Sequence, residues 1–265
     1  MMNLMGATRQ PVVAGSFYPA SPLELRAQVE RLLGAAKPAT VSPKALIAPH
    51  AGYIYSGPIA ATAYATLAPR AAEIRRVVLL GPSHFVPFRG LALPQADAFD
   101  TPLGQVELDR EAFALLAGHG VKVIGAAHER EHSLEVQLPF LQVALGEFKL
   151  VPLAVGYAQP SETAAVLEAL WGGDETLIVI SSDLSHYRSY QAAAVIDAET
   201  AQAIERLEGD VIDGEHACGC HPIRGLLQLA KRRGMRVVPL DRRNSGDTAG
   251  DKSRVVGYGA WAFTM

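Results

Sequence analysis

Lys44–Ser56, KALIAPHAGYIYS, runs from a short apolar segment into a proline and then directly into a histidine. Ala45–Ala48 has the length and character of a strand buried on both faces, and Pro49 has no N–H to give a sheet ladder, so pairing is predicted to stop there. His50 then stands at the carboxyl end of a strand, and Ala51 and Gly52 after it are small enough to let a ligand approach. The same design occurs twice more. RRVVLLGPSHF places Val77–Leu80 ahead of Gly81, Pro82, Ser83 and His84, and TLIVISSDLSHY places Leu177–Ile180 ahead of Ser181, Ser182, Asp183 and His186. Ligands of open α/β sheets bind outside the carboxyl ends of the strands, so the three endings are predicted to converge on one pocket.

Helical patterns fill the intervals. Ser21 reads as an N-cap with Pro22 in the first turn, and Leu25, Val29, Leu32 and Leu33 make one apolar stripe that ends near Gly34. Further helices are expected over 57–67, from Asp109 as cap to Leu116, over 161–171 with Ser161 as cap, over 191–208 and over 222–233. Strands are expected at VKVIG, FKLVPLAVG, MRVVPL and RVVGYGAWAF, while residues 85–108 suggest short hairpin-like strands and a loop near the pocket mouth. The alternation predicts one α/β domain spanning 1–265, a sandwich of helices around a mostly parallel or mixed β-sheet.

The 265 residues are 49% hydrophobic and 19% charged, enough to bury a large core, and carry a formal net charge of −3. With no block of like charges beyond Lys231–Arg232–Arg233 at a helix end, the footprint of a nucleic-acid binder is absent. No apolar run reaches the roughly 20 residues of a membrane span, and the opening MMNLMGATRQPVVAG lacks the pattern of a targeting signal, so a cytoplasmic protein without membrane partners is expected. Two cysteines, Cys218 and Cys220, cannot build a disulfide framework and stand as thiols.

A single histidine in isolation is more often a satisfied core residue than a ligand, and GPSH alone is compatible with a turn. His50 and His84 in matching settings favour a site. Asp183, three residues before His186, can orient that imidazole or cap a helix. HACGCHP, residues 216–222, puts two thiols and a histidine pair ahead of a helix whose N-terminus is expected to lower a thiol's pKa. A structural zinc site would want a second cysteine pair, so one thiolate with two imidazoles from elsewhere is the more economical grouping, suited to iron, copper or zinc. His132 and Glu135 stand three apart at an expected helix start, where surface capping and a pocket role both remain open. His128, Glu129, Arg130 and Glu131 read as a solvated face, and Asn244–Asp247 as a turn able to offer backbone groups to a ligand. Phosphate-loop, dinucleotide and nucleophile-elbow motifs are absent.

AGSFYP, PHAGYIYSG, GPSH, HSLEVQLPFLQ, SSDLSHY, CGCHPI, the NSGD loop and the closing VGYGAW occur in order over nearly the whole chain. Together they resemble the Memo family, called AmmeMemoRadiSam system protein B in prokaryotes. The resemblance implies a fold like that of class III, LigB-type extradiol dioxygenases, with a pocket in the place of their non-haem iron site. It implies His50, His84 and Cys218 as metal ligands, and His186 with Asp183 beside it where the dioxygenases keep a catalytic base. His132, Glu135, Tyr53, Ser245, Cys220 and His221 would line the substrate pocket. Two departures stand out: a cysteine replaces the dioxygenases' third, carboxylate ligand, which favours softer metals and redox chemistry, and Cys220 adds a thiol between Gly219 and His221.

The expected function is therefore that of a metal-binding protein with a mononuclear transition-metal site, iron or copper ahead of zinc, acting as an oxidoreductase on an unknown small molecule. A peptide- or protein-binding module using the same cleft, as the resemblance to animal members implies, and a metal-assisted hydrolase are the alternatives. The family name also implies AMMECR-type and radical-SAM protein partners.

Overall fold

The computed structural model describes residues 7–37 and 40–265. The first six residues of the opening stretch read for a targeting signal lie outside the described residues. Among those described, twelve strands occur: β1 (Thr8–Arg9), β2 (Ala45–Ala48), β3 (Arg76–Pro82), β4 (Leu91–Leu93), β5 (Ala98–Phe99), β6 (Val106–Glu107), β7 (Lys122–Val123), β8 (Lys149–Val155), β9 (Thr176–Ser181), β10 (His186–Arg188), β11 (Arg236–Asn244) and β12 (Val255–Thr264). Nine of them form one mixed sheet whose centre is the parallel set β2-β9-β3-β8. On the β2 side β12 joins antiparallel and carries β10 and β11; on the other side β4 joins β8 antiparallel, with β7 at the edge.

Successive side chains of a strand point to opposite faces, and here both faces are apolar. Ala45, Ile47, Val78 and Leu80 enter one core, with Val166, Leu167, Ile223 and Leu226 of helices Pro160–Ala169 and Cys220–Arg233. Leu46, Ala48, Val77 and Leu79 enter the other, with Leu25, Ile59 and Phe140 of helices Pro22–Ala35, Tyr53–Ala65 and Leu138–Leu145. Helices thus sandwich a mixed sheet, and the unbroken burial of Ala45–Ala48 follows from being covered twice. No helix among the described residues is long and apolar enough to cross a membrane.

Several local expectations are corrected. The helix after His50 begins at Tyr53, four residues early. Gln159, not Ser161, caps Pro160–Ala169, through a reciprocal pair of hydrogen bonds with Glu162. VKVIG supplies only the exposed edge strand Lys122–Val123. The stretch around 126–145 divides into a single turn at Ala126–Glu129, a 3-10 turn at Glu135–Gln137 and the helix Leu138–Leu145, with Pro139 at a first-turn position that needs no N–H. No helix starts at Asp183: His186–Arg188 pairs with β12, and the next helix, Tyr190–Glu205, is capped by Ser189.

Candidate metal-binding site

β2, β9 and β3 lie side by side and point the same way, so their carboxyl ends deliver His50, Asp183 and His84 to one edge of the sheet. Two glycines let other segments close over that edge. A Cβ on Gly81 would meet Ser133 Oγ at 2.6 Å, so glycine there admits the loop 131–134, which Ser133 Oγ fastens by donating to the Pro82 carbonyl at 2.9 Å. A Cβ on Gly219 would meet Ser182 Cβ at 2.6 Å, so only glycine allows the Cys218 loop to lie on the end of β9, where Gly219 N–H donates to Ser182 Oγ at 2.9 Å.

The first closure carries His132 to the other two histidines. Ligand atoms of His50, His84 and His132 all lie within 4.8 Å of one another. The His84 and His132 rings stack at 4.8 Å between centroids, and His50 meets them edge-on at 5.3 and 5.6 Å. His50 is buried, whereas His84 and His132 reach partial exposure at the cleft. Burial, then the neighbouring His84 and His132, hold His50 well below the usual imidazole range. Burial also lowers His132, with His84 adding to it against the opposing charge of Glu131. Burial, with proximity added to it, thus favours at His50 and His132 the neutral form that binds metal, and the three convergent imidazoles could hold a metal ion.

Each ring is held from behind. His50 Nδ1 lies 2.9 Å from Ser181 Oγ, and the His50 backbone N–H donates to Asp183 Oδ1 at 2.8 Å. His84 contacts one carboxylate twice, its backbone N–H on Glu131 Oε2 at 2.6 Å and its Nδ1 on Oε1 at 2.9 Å. Burial alone would raise the Glu131 carboxyl, but the hydrogen bonds and charge of His84 and the Ser133 N–H bring it down to about 2. The reading of 128–131 as a solvated face is therefore corrected: Glu129 and Arg130 are exposed, while His128 and Glu131 are buried. A buried carboxylate persists only when paired, and this one is fully used.

The expected third ligand, Cys218, lies at the side of the cluster. Its Sγ is 3.5 Å from His50 Nε2 and accepts the Asp183 N–H at 3.3 Å, but the group sharing one centre holds His132 in its place. The helix starts at Cys220 as expected, yet neither thiol is lowered: burial raises both, and for Cys218 the Asp183 charge adds to it. Asp183 is itself buried, which raises its carboxyl, while the charge of His186 and the His50 N–H pull the other way. His186 opens β10 half-buried.

Other residues expected in the pocket have engagements of their own. Tyr53 is buried against Tyr18 and Phe140, its hydroxyl donating to the Val136 carbonyl at 2.8 Å. Glu135 is buried with its carboxylate on Arg9, the Val12 and Val13 N–H groups and the Tyr18 hydroxyl, so it anchors the N-terminal segment. Ser245 Oγ accepts the Val256 N–H at 3.1 Å, and Asn244–Asp247 forms the capped start of a short helix. Cys220 belongs to the core, and His221 Nδ1 lies 3.0 Å from the Ala158 carbonyl. Sequence reasoning missed Glu131, Ser181, Ser133 and Gln137 as site-building residues. For the first three the one local signal is position, next to His132 or at a strand end; Gln137, in the 3-10 turn Glu135–Gln137, has none.

A family profile described as Memo-like protein matches residues 9–262. Curated relatives described as MEMO1 family proteins match almost end to end. That of Methanococcoides burtonii is 38% identical over 95% of this chain and 98% of its own. That of Aquifex aeolicus is 38% identical over 94% and 97%, and that of Sulfolobus acidocaldarius 36% identical over 94% and 97%.

Proposed function

The chain belongs to the Memo-like protein family, and from that premise we propose that it binds one transition-metal ion at His50, His84 and His132, with Cys218 beside His50 as a further donor, and uses it in oxidative chemistry on a small molecule. The observation that carries the reading is the approach of the three histidine ligand atoms to within 4.8 Å of one another. Iron or copper fits a nitrogen-rich centre with a thiol at its side, and zinc is the redox-silent alternative. When bound, such an ion supplies Lewis acidity and one-electron chemistry. The chain's own contribution is positional: His50 and His84 are buttressed from behind, and His186, half-buried near Asp183, is the group able to take a proton from a bound substrate.

The test is the metal content of protein purified without oxygen and without a His tag. A single equivalent of iron or copper in the wild type, lost in both His50→Ala and His132→Ala, supports the site; no stoichiometric metal, or metal kept in both variants, overturns it. A second reading has its own observation. Exposed Tyr55, Phe85 and Tyr187 follow the three histidine-bearing strand ends, with Arg130 over Phe85 and Arg254 over Tyr187, a surface suited to peptide recognition. Peptide binding that survives His50→Ala and Cys218→Ala would favour it.

A further inference from the structure

Hydrogen-bond accounting around His50 leaves one tautomer. The Ala48 and Pro49 carbonyls, 3.3 and 3.0 Å from Gln137 Nε2, demand a donor, and Gln137 Oε1 accepts the Tyr64 hydroxyl at 2.7 Å, so the amide orientation is set from both ends. Gln137 Nε2 then donates to Ser181 Oγ at 2.7 Å. A serine hydroxyl has one proton and two acceptor sites. Ser181 uses its proton on the Ser133 carbonyl at 2.6 Å, so toward His50 Nδ1, 2.9 Å away, it can only accept. His50 must carry its proton on Nδ1.

The same reasoning holds for His84 with a different partner. Glu131 accepts the His84 N–H through Oε2 and the Ser133 N–H through Oε1 at 2.8 Å, and an acceptor-only carboxylate facing His84 Nδ1 requires the ring to donate there. Ser133 joins the two arms: its carbonyl takes the Ser181 proton and its N–H binds Glu131.

We infer that Glu131 and the Gln137–Ser181–Ser133 chain are positioning groups that lock His84 and His50 as Nδ1–H tautomers, leaving Nε2 as the lone-pair nitrogen each ring offers to the cluster. The purpose of the lock rests on the proposed metal site; the lock itself does not. It fixes ring orientation and donor identity before any ion arrives, as partners behind metal-ligating histidines generally do. His50 Nε2 also faces Cys218 Sγ at 3.5 Å, so the thiol meets a lone pair there.

The experiment is long-range proton–nitrogen correlation NMR of metal-free, histidine-labelled protein, with His50 and His84 assigned by the signals that His50→Gln and His84→Gln remove. Both rings are expected to show a protonated Nδ1 and an unprotonated Nε2. Ser181→Ala is expected to release the His50 tautomer and leave His84 unchanged, and Glu131→Gln to do the reverse. Zinc titration is the second readout, each variant binding about 10- to 100-fold more weakly. An Nε2–H tautomer at either ring in the wild type overturns the inference, as do tautomers indifferent to both substitutions. Expected tautomers in a wild type that binds no metal would uphold the lock and overturn the metal site. If one variant fails to fold, the wild-type spectrum and the other variant still decide.

Discussion

Asp183 Oδ1 accepts the backbone N–H of His50 at 2.8 Å, so the carboxylate that leaves β9 ties down the residue that leaves β2. The two strands are paired up to Ala48 and Ser181, and this bond carries their alignment two residues past the sheet. Asp183→Ala strands a buried N–H and is expected to cost about 1–3 kcal/mol. Asp183→Asn keeps an acceptor oxygen and is expected to cost less, while removing the charge beside His186. Urea unfolding of the two variants checks the order.

Cys218 is expected to contribute to the bound ion without being required for it. Loaded with cobalt(II), the wild type should show a thiolate-to-metal absorption band that Cys218→Ser lacks while still binding cobalt. His132→Ala should bind about 10- to 100-fold more weakly or not at all. A Cys218→Ser variant that binds no cobalt, with His132→Ala unaffected, would restore the two-histidine, one-thiolate set.

Gly219→Ala forces a methyl to within 2.6 Å of Ser182 Cβ and 3.0 Å of the Ser181 carbonyl. Overpacking of this kind costs about 1–3 kcal/mol and would lift the Cys218 loop from β9. A lower urea midpoint together with faster labelling of Cys218 by a thiol reagent is the expected result.

Arg9→Met leaves the Glu135 carboxylate buried without its guanidinium partner. The loss of one member of a buried ion pair costs about 3–5 kcal/mol. Because Arg9 also donates to the His128 and Glu131 carbonyls, the loop that carries His132 loses a tether at the same time. The double variant Arg9→Met/Glu135→Gln is expected to recover part of the loss, read again by urea unfolding.

His128 makes folding sensitive to acid. Burial pushes its imidazole down to about 4 from an ordinary 6.5, partly opposed by the hydrogen bond to the Ala92 carbonyl. Below 6.5 the unfolded chain takes up a proton that the folded protein refuses until near 4, so stability is complete above 6.5 and drains away as the pH falls between the two. The loss amounts to about 3 kcal/mol. His128→Gln, which keeps a donor for Ala92, should flatten that part of the stability-against-pH curve; an unchanged slope would remove His128 from the account.

Much of this architecture was legible because the signals are local. The unbroken apolar runs at 45–48, 77–80 and 177–180 read as doubly covered strands, and each is followed within three residues by a polar one. Pro22 after Ser21 and Asp109 before its helix mark starts that the structure keeps, through bonds from Glu24 N–H to Ser21 Oγ and from Ala112 N–H to Asp109 Oδ1. Boundaries failed where capping had competing candidates, as at Gln159 and Ser161.

The sequence by itself determined the strands, their histidine-bearing ends and the family resemblance, because periodicity and motif order need no knowledge of distant contacts. Only the tertiary structure decided which residues stand behind and beside His50 and His84. Glu131 reaches His84 across 47 positions, Ser181 reaches His50 across 131, and His132 joins them because Gly81 leaves room for its loop. In the sequence, EREHS looks like a stretch of surface charge. Folded against the end of β3, its glutamate is desolvated, paired and acceptor-only, and its histidine completes the cluster.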